Sequence, residues 1–352
     1  MKKIFKKNKL FLFYLMLFIT KYFFCNNIKN DIATEKYAVI FVHGTYGINF
    51  KTLLKIIFYN IFNINKLKIL FNKISQFRFN KKLSDHTAIC SNKKGLDKIS
   101  HSGENSHYTF KYVLEILHNK FESLLQTKDI EYYAFNWSGC LSNELREEES
   151  NLLYKQLNTL KKKQPNRKII IIAFSHGGNI VLNMQKIAKK ENYPFIINQL
   201  ILLATPIGKT SEQNTESILF PQIINFYSIK DFYQIADISF NFPHTKRTFN
   251  NRKNIINIDF RILKKYNKKT HIIFPNHKYF GTINLNDNQP VFLNILPNIL
   301  EKLEELKNNN YNNNYNNNYN NNYNNNYIVT VNIENNINQY EENKFKIKIR
   351  RV

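Results

Sequence analysis

The chain's 352 residues carry 51 Lys and Arg against 26 Asp and Glu, a formal net charge of +25. So basic a balance raises nucleic acid as a partner. However, the charge is spread along the chain, no nucleic-acid module is recognisable, and lysine, asparagine, isoleucine, tyrosine and phenylalanine are abundant together as AT-rich codons dictate, so nucleic acid is not expected. What survives is a positive surface suited to an anionic membrane and a length that allows one domain with a substantial core.

The first 25 residues read as an export signal or N-terminal anchor. Five lysines lie within Met1–Lys9, and Leu10–Ile19 is purely apolar. That apolar run is too short for a spanning helix, which needs about 20 residues. Bulky Phe23 and Phe24 stand where a cleavage site wants small residues, so cleavage stays open, and the chain is expected to be exported: periplasmic, secreted or anchored. After Cys25 only Cys90 and Cys140 remain, which allow at most one bridge and no disulfide framework.

The elements then follow in order. Residues 36–42 form an apolar strand that ends in His43-Gly44-Thr45-Tyr46-Gly47. An insertion over residues 48–105 comes next. Its first part is apolar and basic without an acidic residue, which suits a cap or lid over a site or a face resting on an anionic membrane, and equally cap helices with solvated lysines. Its second part, 91–105, reads as a polar loop, and the nearby His86, His101 and His107 share no metal-ligand spacing. Helical spacing covers 106–126, a strand 130–137, and a helix 141–163 whose Glu144, Glu147, Glu148 and Glu149 read as a solvated first turn.

Lys168–Phe174 is a continuous apolar run, as a strand buried on both faces requires, and it breaks at Ala173-Phe174-Ser175-His176-Gly177 straight into a helical pattern. So tight a strand-to-helix turn demands small residues two before and two after the serine, and these are Ala173 and Gly177. The hydroxyl is then held at the sheet edge beside the first amides of the helix, the arrangement of a nucleophile elbow. Further strands follow at 199–206, 222–228 and 270–274, and a last helix at 290–307. Residues 308–327, tyrosines separated by asparagine triplets, form a low-complexity linker. In the basic tail 328–352 two alternating stretches suit a hairpin.

The phrases FVHGTYG, YAFNWSG, AFSHGGN, LLATPIG and FYSIKD together resemble the α/β-hydrolase superfamily, nearest its lipase and serine-esterase branch, across roughly residues 36–305. Alanine stands at 173 where the usual motif has glycine. The resemblance implies a mostly parallel sheet with helices on both faces over residues 26–307, and a triad in the chain order Ser175, Asp231, His277. Asp231 follows a strand end directly, whereas Asp237 falls inside the next segment. His244 comes too soon after the acid and His271 lies within a strand pattern, which leaves His277 as base. The oxyanion donors are expected at the amides of Thr45 and His176, with Gly44 and Gly177 giving room and the His43 side chain bracing the loop.

The expected function is hydrolysis of carboxylic esters, with acyl lipids favoured by the apolar insertion, and with no cofactor or metal. An acyltransferase of the same fold is one alternative. A non-catalytic membrane-associated binding protein is the other.

Overall fold

A computed structural model describes residues 35–44, 94–99, 118–139, 143–231, 234, 246–266, 269–273, 280, 291–313, 326–333 and 345–352. All but Glu35 lie in the compact unit Lys36–Val352. Its centre is a run of largely buried strands: β1 (Tyr37–Val42), β3 (Ile130–Asn136), β4 (Lys168–Phe174), β5 (Gln199–Leu203) and β6 (Ile223–Tyr227). Within this run every pairing, β6–β5, β5–β4, β4–β1 and β1–β3, is parallel, and β6 pairs in parallel with β7 (Ile255–Tyr266).

Parallel pairing needs crossovers, and the helices that supply them cover the sheet. Helices α1 (Asn143–Lys163) and α2 (His176–Lys190) pack on one face, where Leu153, Tyr154, Leu157, Ile180, Val181 and Met184 meet Ala38, Ile40, Ile171 and Leu202. The opposite face takes Phe121, from helical residues 118–125, and α4 (Val291–Asn313), whose Phe292, Leu296, Ile299 and Leu303 meet Val39, Ile172, Phe226 and Phe260. A five-residue helix, α3 (Lys209–Gln213), follows β5. The result is a mixed, mostly parallel sheet between helices, an α/β architecture.

Three expectations change. Within the stretch read as a polar loop, Gly95–Ile99 is strand β2, antiparallel to β3. Polar residues hold this edge: Asn136 Nδ2 donates to Asp97 Oδ2 at 2.8 Å, and Lys98 pairs with Glu131. At the other end, β9 (Asn326–Ile333) and β10 (Phe345–Arg351) pair antiparallel, and β9 lies parallel to β7 over eight registered positions, so the sheet extends well past residue 307. Among the described residues ten strands make one sheet in the order β10-β9-β7-β6-β5-β4-β1-β3-β2, with β8 (Lys269–Ile273) on β7. Helix α4 also runs to Asn313, into the stretch read as linker.

Strand β7 outruns β6. Its residues 255–259 pair with β6, 257–264 with β9, and 262–266 with β8. Because β9 already occupies one edge, β8 takes the edge that β6 vacates, beyond the carboxyl end of β6. Being antiparallel to β7, it runs back toward that end.

Candidate active site

Ser175 is the residue at which β4 turns into α2, and its backbone sits at φ 52° and ψ −130°. Such a conformation is strained for any residue with a Cβ and costs about 1–3 kcal/mol, so it persists only where the surroundings fix it. They do so here. Ser175 N donates to Leu203 O of β5 at 2.8 Å, and Gly178 N donates back to Ser175 O at 3.0 Å. Ala204, next to Ser175 by strand register, also leaves the sheet with positive φ, 50°.

The glycines answer to close approach. A Cβ on Gly177 would lie 2.3 Å from His43 O and 2.8 Å from Val42 O, so the first turn of α2 presses on the end of β1. A Cβ on Gly44 would meet Phe174 Cδ1 at 2.8 Å and Ser175 Cβ at 2.9 Å, and one on Gly178 would meet Thr205 Oγ1 at 2.2 Å. Ala173 is fully buried, which explains the need for a small side chain there. The structure thus brings Ser175, His176, Gly177, His43 and Gly44 to one point at the carboxyl edge of β1 and β4.

His43 braces this corner. Its Nδ1 donates to Gly44 O at 2.6 Å, its Nε2 accepts from Trp137 N at 3.5 Å, and Trp137 Nε1 donates to His43 O at 2.7 Å. The two rings stack at 5.3 Å. Burial pushes the imidazole below its ordinary value, against the smaller opposing effect of the Gly44 and Trp137 hydrogen bonds.

Three further residues support the same corner, one of them, Glu149, read from the sequence as part of a solvated first turn and two, Arg146 and Asn179, given no role there. Glu149 is buried, not part of a solvated turn: it accepts from Ser138 N at 3.0 Å and Ser138 Oγ at 3.1 Å, and pairs with Lys94 Nζ at 3.2 Å. The signal was its helical spacing, four residues from each of Leu145 and Leu153, both buried. Arg146 Nη1 lies 2.8 Å from His176 Nδ1. Asn179 Nδ2 donates to Pro206 O at 3.2 Å. No spacing rule singles out Arg146 or Asn179.

Asp231 is fully buried just past β6 on the same carboxyl edge, two strands from β4, or about 10 Å in sheet spacing. Its amide donates to Ser228 O at 3.0 Å, and its main-chain oxygen accepts from Arg247 Nε at 3.3 Å. A second acid, Asp259 on β7, stands level with Tyr227. Burial raises it above the ordinary carboxylate range, although Arg261 Nε donates to its Oδ2 at 2.7 Å. His271 lies on β8 opposite Lys264. Thr45, His277, Asp237, His244, Cys90, Cys140 and the insertion outside Lys94–Ile99 lie outside the described residues.

Among the described residues no group of three or more His, Cys, Asp or Glu could hold a metal ion, and no helix is long and apolar enough to cross a membrane. Fold and site together define an α/β protein of enzyme-like architecture, with a strained serine at a strand-to-helix turn. No protein-family model matches the chain, and no curated protein matches it.

Proposed function

We propose that the chain is a serine hydrolase of the α/β-hydrolase type acting on carboxylic esters, with acyl lipids as the substrate class. The observation that carries this reading is the backbone of Ser175, strained at the carboxyl edge of a parallel sheet and pinned by Gly177 against His43 O. Strain of this kind tends to be kept where a side chain must be presented for chemistry.

In this reading Ser175 Oγ attacks the ester carbonyl while His277 takes its proton. The amides of Thr45 and His176 stabilise the tetrahedral oxyanion, and Asp231 orients the imidazole. His277 then protonates the leaving alcohol, and water resolves the acyl-enzyme by the same steps reversed. Strand β8 supports the choice of base: it returns the chain toward the end of β6, where Asp231 lies, and His277 follows four residues after Ile273. Export or N-terminal anchoring, contact with an anionic membrane and a lid formed by the insertion belong to the same proposal, with the basic N-terminal segment and the +25 charge as their support.

A panel of p-nitrophenyl esters of rising acyl length tests it. Turnover that vanishes in Ser175→Ala and grows with acyl length supports a lipase. Turnover confined to acetate narrows the class to short-chain esters, and none by folded protein contradicts the proposal and favours a binding role.

A further inference from the structure

His176 follows the nucleophile, opens α2, and has its ring buried between two donors. Arg146 Nη1, on α1, lies 2.8 Å from His176 Nδ1, and Asn179 Nδ2, one turn along α2, lies 3.4 Å from the same atom. A guanidinium carries only donors, and so does a carboxamide nitrogen. Nδ1 therefore presents its lone pair, and the ring proton sits on Nε2.

Asn179 is oriented in its turn. Its Nδ2 donates to Pro206 O at 3.2 Å, and its Oδ1 accepts from Ser211 Oγ at 2.6 Å, which fixes which end of the amide faces the imidazole. Arg146, His176 and Asn179 are exposed by only 7%, 6% and 9%. Burying a guanidinium costs several kcal/mol of hydration, and apolar side chains could fill the same space without that cost. What an apolar filler could not do is set the tautomer and angle of the ring.

We infer that Arg146 is a positioning residue for acyl transfer. By holding the His176 ring as its Nε2–H tautomer, together with Asn179, it pins the first residue of α2, whose amide is one of the two proposed oxyanion donors. This rests on the reading of Ser175 as nucleophile. The donor acts on an oxyanion that exists only in the transition state, so a loosened ring lowers kcat and leaves KM in place.

Two readouts on the full chain test it. Nitrogen-15 NMR of histidine-labelled protein, with the His176 signals assigned by their loss in His176→Gln, reports the tautomer directly. Wild type should show Nδ1 bare and Nε2 protonated, and Arg146→Met a mixture of tautomers. In ester hydrolysis, Arg146→Met should lose about tenfold in kcat with KM nearly unchanged. Arg146→Lys, which keeps one cationic donor, should retain the tautomer and most of the turnover, and it decides the matter should the methionine variant not fold. A wild-type ring protonated on Nδ1 would overturn the inference. So would kcat and KM moving together in a folded Arg146 variant. A chain with the Nε2–H tautomer but no reactive Ser175 would overturn the nucleophile reading and the catalytic half of this inference together.

Discussion

Gly177 and the main-chain oxygen of His43 approach so closely that a Cβ on the glycine would stand 2.3 Å away. The obstacle is backbone, which cannot swing aside as a flexible side chain can. Gly177→Ala is therefore expected to cost about 3 kcal/mol and to disturb Ser175 through the shared turn, as read by urea denaturation. Gly208 has nothing within 4 Å of its Cβ position, so Gly208→Ala is the control and should change stability little.

The strain at Ser175 makes a second prediction with an unusual sign. Glycine adopts φ 52° and ψ −130° without steric cost, whereas alanine keeps the strain. Ser175→Gly should therefore be more stable than Ser175→Ala by about 1 kcal/mol, the reverse of the usual order. Equal stabilities in thermal denaturation would mean that the turn is relaxed in solution.

Glu149 is a buried carboxylate satisfied by the amide and hydroxyl of Ser138 and by Lys94. Glu149→Ala should cost about 2–3 kcal/mol, because two buried donors lose their acceptor. Glu149→Gln keeps one acceptor and should lose less. Glu148→Ala, on the exposed side of the same helix, should change little.

His43 gives stability a pH dependence of known sign. Its folded-state value is lowered from 6.5 by burial, so the unfolded chain binds more protons in the window just below 6.5. Its contribution is fully present above that value and declines as pH falls through the window toward the lowered folded value. Denaturation from pH 8 to pH 5 should show a loss of stability that is smaller in His43→Asn. An identical pH profile in both proteins would remove His43 as its source.

The C-terminal strands test where the domain ends. Val329 and Val331 of β9 are fully buried, and β9 pairs with β7 along its whole length. Truncation after Asn313 should thus lower stability sharply and expose the edge of β7. A dispensable tail would leave the melting temperature unchanged.

Much of this arrangement was legible in the chain. The β-branched run at Lys168–Phe174 and the small residues at 173 and 177 announce β4 and the turn at Ser175, because a buried parallel strand and a close helix approach each leave a local mark. Strand β2 was not legible, since Gly95-Leu-Asp-Lys-Ile pairs through Asp97 and Lys98 with partners about 35 residues away. The alternation of Ile256, Ile258, Phe260 and Ile262 marks β7 plainly and went unassigned. The role of β9 could not be read locally, because its partner β7 lies some 70 residues earlier. Arg146 and Asn179 depend on the packing of α1 against α2, which no spacing encodes.

The central claim is that Ser175 is an activated nucleophile, and covalent labelling tests it most directly. The purified chain, without its first 25 residues, would be treated with a fluorophosphonate probe beside Ser175→Ala, and the modified peptide located by mass spectrometry. The account predicts one adduct on Ser175, absent from the variant. A folded wild-type protein that takes no label, or takes it equally in the variant, would contradict it.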